Sequence, residues 1–269
     1  LQRLNGMFAF VLWDSVEKTL TLARDRMGEK PLYYGVNNGT FFFGSELKSF
    51  TPHPNWNGEI DRDALTLYMR HNYIPAPWSI YKNIQKLLPA HYVVVREYGK
   101  TISSSQCYWN LGNIASEGVE SATGSPEECI EELDSLLRKS VLSRMASDVP
   151  LGAFLSGGFD SSVVVALMQS QTSQPVKTFT IGFHEQGHNE AHHAKEVANH
   201  LGTEHTELYV TPEEAMAVIP KLPAIWDEPF SDSSQIPTLL VSELARQHVT
   251  VSLSGDGGDE LFCGYTRYT

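Results

Sequence analysis

The hydrophobic positions of this chain follow two different rhythms. Up to about residue 50 they come as short aromatic and β-branched runs, Phe8 to Trp13, Thr19 to Ala23, Pro31 to Val36 and Thr40 to Phe43, separated by turn residues. Such spacing predicts an antiparallel sheet rather than strand–helix–strand units. Tyr92 to Arg96 and Thr101 to Ser104 predict a further hairpin around Tyr98-Gly99. Beyond residue 126, strand-like and helical patterns alternate. Glu127 to Met145 predicts an amphipathic helix opened by Ser125-Pro126, with Ile130, Leu133, Leu137 and Leu142 near one stripe that would cover a sheet. Leu151 to Leu155 predicts a strand, and Ser161 to Gln169 a helix apolar on every face, as a buried helix would be. Lys177 to Phe183 reads as a second strand, Asn189 to Gly202 as a helix ending at Gly202, and Val249 to Leu253 as an alternating strand. Asp227 to Thr238 reads as a loop rich in acids and hydroxyls.

The two rhythms predict two domains, with the boundary in the Ser-, Gly-, Asn- and Glu-rich stretch from Leu111 to Pro126. The division is 1–112, a linker over 113–126, and 127–269. At 269 residues, 41% hydrophobic and 19% charged, the chain has globular composition. Its 20 basic and 32 acidic residues leave a net charge of −12, which argues against a nucleic-acid partner. No stretch reaches the ~20 apolar residues of a membrane span. Cys107, Cys129 and Cys263 form no C-x-x-C pair, which fits reduced thiols with packing or incidental roles in a cytoplasmic protein.

The chemistry concentrates in two runs that each follow a strand. Ser156-Gly157-Gly158-Phe159-Asp160-Ser161-Ser162 stands between a strand and a helix start. Its glycines let the backbone approach an anion, its hydroxyls donate, and the first helical turn adds free N–H groups. Polyphosphate is the natural guest, without the lysine of a Walker loop. Asp160 would repel a bare anion, so its presence implies Mg²⁺ between carboxylate and phosphates. Ser254-Gly255-Asp256-Gly257-Gly258-Asp259-Glu260 repeats this logic, with acids on a permissive backbone as a Mg²⁺–nucleotide site requires. In an open parallel sheet, ligands bind beyond the carboxyl ends of strands, where both runs lie.

Two other features imitate sites. Gly99-Lys100-Thr101 lacks the glycine a Walker motif needs five residues earlier, where Val94 stands. His184, His188, His192, His193, His200 and His205 crowd one segment, but no Cys accompanies them and only His188 and His192 have spacing for a shared helical face. Solvated or hydrogen-bonded histidines are the expected reading.

The strings S-G-G-F-D-S-S and S-G-D-G-G-D-E-L-F-C-G-Y resemble the synthetase domain of glutamine-hydrolysing asparagine synthetases. L-N-G-M-F-A-F-V-L-W-D, A-R-D-R-M-G-E-K-P-L-Y-Y-G and F-F-F-G-S-E-L-K resemble the latter half of the glutaminase domain that precedes it. The resemblance implies an α/β protein: part of an antiparallel α+β N-terminal-nucleophile glutaminase domain, then a parallel, doubly wound ATP-pyrophosphatase domain of the HUP-like class. Such glutaminases use a cysteine whose own α-amino group is the base. Residue 1 here is Leu, so the resemblance implies an internal fragment whose parent carries the nucleophile and glutamine-binding residues upstream and more helices, with a catalytic lysine, downstream. The chain as given is then expected to have no glutaminase activity.

The implied reaction is ATP-dependent conversion of aspartate to asparagine through β-aspartyl-AMP, with AMP and pyrophosphate released and nitrogen from glutamine or ammonia. Ser156, Gly157, Gly158, Asp160, Ser161 and Ser162 would cradle pyrophosphate. Leu155, Ile181, Ser254 and Gly255 would contact adenosine through backbone or apolar surface, and Asp160 and Asp259 would hold Mg²⁺. Asp256 stands where the family's well-known members carry Glu, a base when ammonia attacks, with a shorter side chain. Relatives with the same plan amidate sugars or peptides or close β-lactams, and a nucleotide-binding module without turnover is a different-class alternative. A homodimer is the assembly kept open.

Overall fold

A computed structural model of the protein describes residues 1–121, 123–184 and 190–265. The chain divides into two units: Leu1–Ala122 with Lys221–Asp232, and Thr123–Pro220 with Ser233–Thr269.

In the first unit, β1 (Ala9–Asp14), β2 (Thr19–Arg24), β3 (Tyr33–Asn37) and β4 (Thr40–Gly44) form where the aromatic and β-branched runs predict strands. They divide between two antiparallel sheets instead of sharing one. The larger runs β1-β2-β6-β7, with β8 also on β6, and the smaller β4-β3-β5. The added strands are β5 (Ile84–Lys86), β6 (His91–Arg96), β7 (Thr101–Ile102) and β8 (Gln106–Cys107). The switch between sheets follows Asp25, which is buried and accepts the N–H groups of Phe8, Glu29 and Lys30 at 3.2, 2.9 and 2.9 Å. A carboxylate that satisfies three backbone donors bends the chain out of the first sheet. On β3 the side chains alternate between two cores. Tyr34 joins Leu22, Leu87, Val93 and Val95, and Tyr33 joins Phe42, Leu47, Phe50 and Ile84. Helix α1 (Arg62–His71) starts on Asp61, whose carboxylate caps the Asp63 and Ala64 N–H groups, and ends on left-handed Asn72. It buries Ala64 in the second core. The stretch expected as a linker contains an exposed helix, α2 (Leu111–Ser121).

The second unit opens with α3 (Pro126–Met145), capped by a Ser125–Glu128 capping box. It continues through β9 (Leu151–Phe154), α4 (Phe159–Ser170), β10 (Lys177–Phe183), α5 (Ala191–Leu201), β11 (Glu204–Val210) and α6 (Pro212–Val218). The predicted helix from residue 189 begins at Ala191, and Asn189 lies outside the described residues. The sheet is parallel in the order β11-β10-β9-β12, where β12 is Val251–Leu253. Val249 lies before that strand, its N–H bonded to the Ala245 carbonyl at 2.8 Å. Ala153 and Leu155 face α3, α4 and α5 in one core, while Phe154 joins Phe179, Leu244 and Ala245 in another. The sheet is therefore covered on both faces, as an all-parallel sheet requires.

Three expectations are corrected here. The buried stripe of α3 is Leu137, Val141 and Met145, whereas Ile130, Leu133 and Leu142 are exposed, because only the C-terminal half of the helix packs on α4. Helix α4 is not buried all round, since Phe159 and Val163 face solvent. Of the two roles expected for the cysteines, packing is removed and the incidental one kept, since all three are exposed.

The predicted loop over 227–238 splits. Its second half enters α8 (Gln235–Arg246), part of the second unit. Its first half, with the short helix α7 (Leu222–Ile225), belongs to the first unit as a strap. Asp227 accepts the Leu47 N–H at 2.6 Å and pairs with Lys48 at 3.4 Å. Glu228 accepts the Ile80 N–H at 2.8 Å and pairs with Lys86 at 2.5 Å. Tyr33 donates to Glu228 at 3.4 Å, and burial beside that carboxylate pushes the phenol well above its usual range. Ser231 donates its N–H to the Asn72 carbonyl at 2.8 Å.

Candidate phosphate and nucleotide site

The β9–α4 loop is shaped by its own side chains. Ser161 is buried, and its hydroxyl accepts the Ser156 N–H at 3.2 Å and lies 2.9 Å from the Ser156 hydroxyl. Ser156 Oγ in turn accepts the Gly158 N–H at 3.2 Å. The Ser156–Ser161 pair thus holds the turn as well as supplying hydroxyls. Gly158 is the N-cap of α4 and has no side chain to occupy the first-turn N–H groups, which leaves the positive end of that helix to an anion. The Ser162 hydroxyl is buried without a hydrogen-bond partner among the described residues. Buried polar atoms are ordinarily satisfied, which sets this hydroxyl apart from the others of the loop.

Two glycines of the second run close on Asp160. A β-carbon at Gly255 would lie 2.7 Å from the Ser161 nitrogen and 3.0 Å from Asp160 Cβ, and one at Gly258 would fall on the Asp160 carboxylate. Only glycine permits that approach. Gly257, with φ of +92°, turns the chain into α9 (Gly258–Phe262), whose first turn carries Asp259. Both runs leave the carboxyl ends of neighbouring strands, β9 and β12, on either side of the point where the strand order reverses. Asp256 is exposed, with Oδ2 accepting the Ser254 hydroxyl at 2.9 Å. Ile181 is half-buried near the carboxyl end of β10. Leu155 is only 1% exposed, so its side chain belongs to the core and its main chain alone is available to a ligand.

Sequence reasoning missed one wall. Gly157, with φ of +84°, rests on the first turn of α5, where an added β-carbon would lie 2.6 Å from the Ala194 nitrogen and 2.8 Å from His193 Cβ. No local pattern signals that contact, because it comes from helix placement across the sheet. Two concavities of about 400 Å³ lie in the first unit, at Glu59–Asp63 and under the strap beside Tyr33, Tyr73, Trp226 and Phe230. Neither includes the glycine-rich loops, so the candidacy of those loops rests on their geometry. Of the candidate histidines, His188 lies outside the described residues and His205 is half-buried against Thr178, 2.9 Å away. Among the described residues no helix is long and apolar enough to cross a membrane.

Two family models match the chain. Residues 1–109 match a family described as glutamine amidotransferase domain, and residues 132–269 one described as asparagine synthase. The chain is 38% identical over 99% of its length to asparagine synthetase [glutamine-hydrolyzing] 1 of Bacillus subtilis, covering 40% of that protein. It is 41% identical over its whole length to a putative asparagine synthetase [glutamine-hydrolyzing] 2 of Methanocaldococcus jannaschii, covering 51%. It is also 32% identical to amidase chyE of Penicillium rubens, covering 41%. The chain thus spans about half the length, or less, of these relatives. With the asparagine synthase match taking in both glycine-rich runs and the sheet that carries them, the chain belongs to the asparagine synthase family.

Proposed function

We propose that the protein activates the side-chain carboxylate of L-aspartate with ATP and passes it to ammonia drawn from glutamine, giving L-asparagine, AMP and pyrophosphate. The observation that carries this is the closure of Gly255 and Gly258 onto Asp160, which joins two anion-suited loops at the carboxyl ends of β9 and β12. A carboxylate oxygen is a poor leaving group. Its attack on the α-phosphorus breaks the bond to the β-phosphate bridging oxygen and releases pyrophosphate, and ammonia then displaces AMP from the acyl carbon. The first step needs the departing phosphates held, and the N–H groups at the start of α4 with Ser156, Gly157, Gly158, Ser161 and Ser162 suit that task. The main chain of Leu155, with Ile181, Ser254 and Gly255, would border adenosine. Asp256, oriented by Ser254, would take the proton that ammonia loses.

Asp160 and Asp259 would hold a Mg²⁺ ion, since that ion takes one or two carboxylates and fills its shell with water and phosphate. When bound it would offset the charge of the phosphates. On this reading residues 1–112 are the latter part of an N-terminal-nucleophile glutaminase domain to which the strap is added, 113–126 connect, and 127–269 belong to a doubly wound, HUP-like ATP-pyrophosphatase domain. The protein would work in the cytoplasm on small molecules, without nucleic acid. The similarity to an amidase supports a second reading, in which a related carboxylate replaces aspartate.

The test supplies ATP labelled at the α-phosphate, ammonium and aspartate, which removes any dependence on glutamine hydrolysis. Labelled AMP with pyrophosphate, formed only when aspartate is present, is the expected result. ADP as the only labelled product refutes the pyrophosphate-releasing chemistry, and turnover with another carboxylate but not aspartate selects the second reading.

A further inference from the structure

Helix α5 carries a cluster that the proposed reaction does not use. His192, His193 and Glu196 lie on its first two turns, and each offers a ligand atom within 4.8 Å of the other two. Nδ1 of His192 is 3.7 Å from one Glu196 carboxylate oxygen, and Nδ1 of His193 is 3.9 Å from the other. The two imidazole planes stand at 90° with centroids 6.0 Å apart, so each ring approaches Glu196 from its own side. The neighbouring cation does not compete, because Lys195 pairs with Glu207 on β11 at 2.8 Å.

We infer that His192, His193 and Glu196 form a binding site for a borderline divalent transition-metal ion of the Zn²⁺, Co²⁺ or Ni²⁺ class. Two imidazoles and one carboxylate match that class, whereas Mg²⁺ prefers an all-oxygen shell. Ligand bonds of about 2.0–2.1 Å in a tetrahedral shell put donor atoms roughly 3.4 Å apart. The observed separations, none above 4.8 Å, shorten to that value when the ion binds. All three side chains are exposed, so the ion reaches them from solvent, and three protein ligands leave a fourth position open. This grouping differs from the His188–His192 spacing that the sequence suggests, since adjacent histidines reach one carboxylate at i+3 and i+4.

The location gives the site a consequence. Gly157 rests on the peptide joining His193 to Ala194, so an ion tied to His193 stiffens the support of the β9–α4 loop. That coupling rests on the phosphate-site reading; the metal site itself does not.

The experiment uses the untagged, metal-stripped full chain, titrated with Co²⁺ by visible absorption and with Zn²⁺ by calorimetry in excess Mg²⁺. One ion per chain is expected, with affinity reduced by on the order of tenfold or more in each of His192→Ala, His193→Ala and Glu196→Gln. His200→Ala, on the same helix, is expected to bind as the parent does. Circular dichroism of the three variants should match the parent, since exposed side chains are exchanged. Affinity unchanged in the His192→Ala/His193→Ala double variant overturns the site, as does binding that disappears when Cys107, Cys129 and Cys263 are replaced by Ser. If metal binds as expected while pyrophosphate affinity is the same with and without Zn²⁺, the site stands and its coupling to the loop fails.

Discussion

Asp160 is held by two glycines that meet it from a run almost a hundred residues later, and that contact is sensitive to a single methyl group. Gly258→Ala would place a β-carbon 2.4 Å from the Asp160 carboxylate, so that carboxylate must turn away or the loops must separate. We expect pyrophosphate release by this variant to fall by about two orders of magnitude, a loss of a few kcal/mol of transition-state stabilisation. Gly257→Ala serves as the comparison, because its β-carbon meets nothing within 4 Å and its penalty is conformational only. Equal rates for Gly258→Ala and the parent would show that Asp160 does not work from this position. The glycines and acids of both runs were legible because backbone approach and metal charge demand particular residue types. The His193–Ala194 wall was not legible, since a helix turn of ordinary composition serves as well as any other.

His205 illustrates a residue whose environment sets a pH dependence. Burial lowers its pKa, outweighing the opposing effect of Glu207, and Lys195 acts in the same direction as burial. The unfolded chain therefore binds this proton more readily than the folded one. Stability is unaffected above the ordinary value of about 6.5 and falls as the pH drops through it toward the lower folded pKa. Urea midpoints compared at about pH 7 and about pH 5 should converge for His205→Gln relative to the parent. An unchanged difference would remove His205 as a source of acid sensitivity.

At the scale of elements, α3 separates pattern from packing. Its apolar residues are too many for one stripe, and the neighbour chooses among them: α4 takes Leu137, Val141 and Met145 and leaves Ile130 in solvent. Val141→Ala should cost about 1–2 kcal/mol by urea unfolding, and Ile130→Ala should stay within about 0.5 kcal/mol. The reverse order would mean that α3 packs by its N-terminal half. The strap is the other element that its sequence does not disclose. Asp227 and Glu228 read only as acids of a loop because nothing near them in the chain reveals partners at Leu47, Ile80 and Lys86. Glu228→Gln keeps an acceptor for the Ile80 N–H but leaves Lys86 without its ion pair. The expected loss is about 1–3 kcal/mol for the first unit, read from the near-ultraviolet dichroism of its aromatic core. An unaltered melting profile would mean that the strap contributes contact without stability.

For the molecule as a whole, the strand rhythms located strands of all three sheets, but the two units are not two consecutive lengths of chain. The first unit draws Lys221–Asp232 from between α6 and α8 of the second. A chain ending at Ala122 should accordingly melt below the same chain supplied with a peptide of residues 221–232, and Glu228→Gln in that peptide should weaken the effect. No shift on adding the parent peptide would contradict the assignment. The discontinuity also has a consequence for synthesis on the ribosome. Domains generally fold in order of emergence at about 5–20 residues per second. Here the Glu228 anchor emerges about 110 residues after Ala122, so the first unit waits roughly 5–20 s for its last segment while the strands of the second are already appearing. Until then Lys86 lacks its ion pair and the Ile80 N–H its acceptor, and the nascent chain should stay open to protease near β5 until translation has passed Asp232.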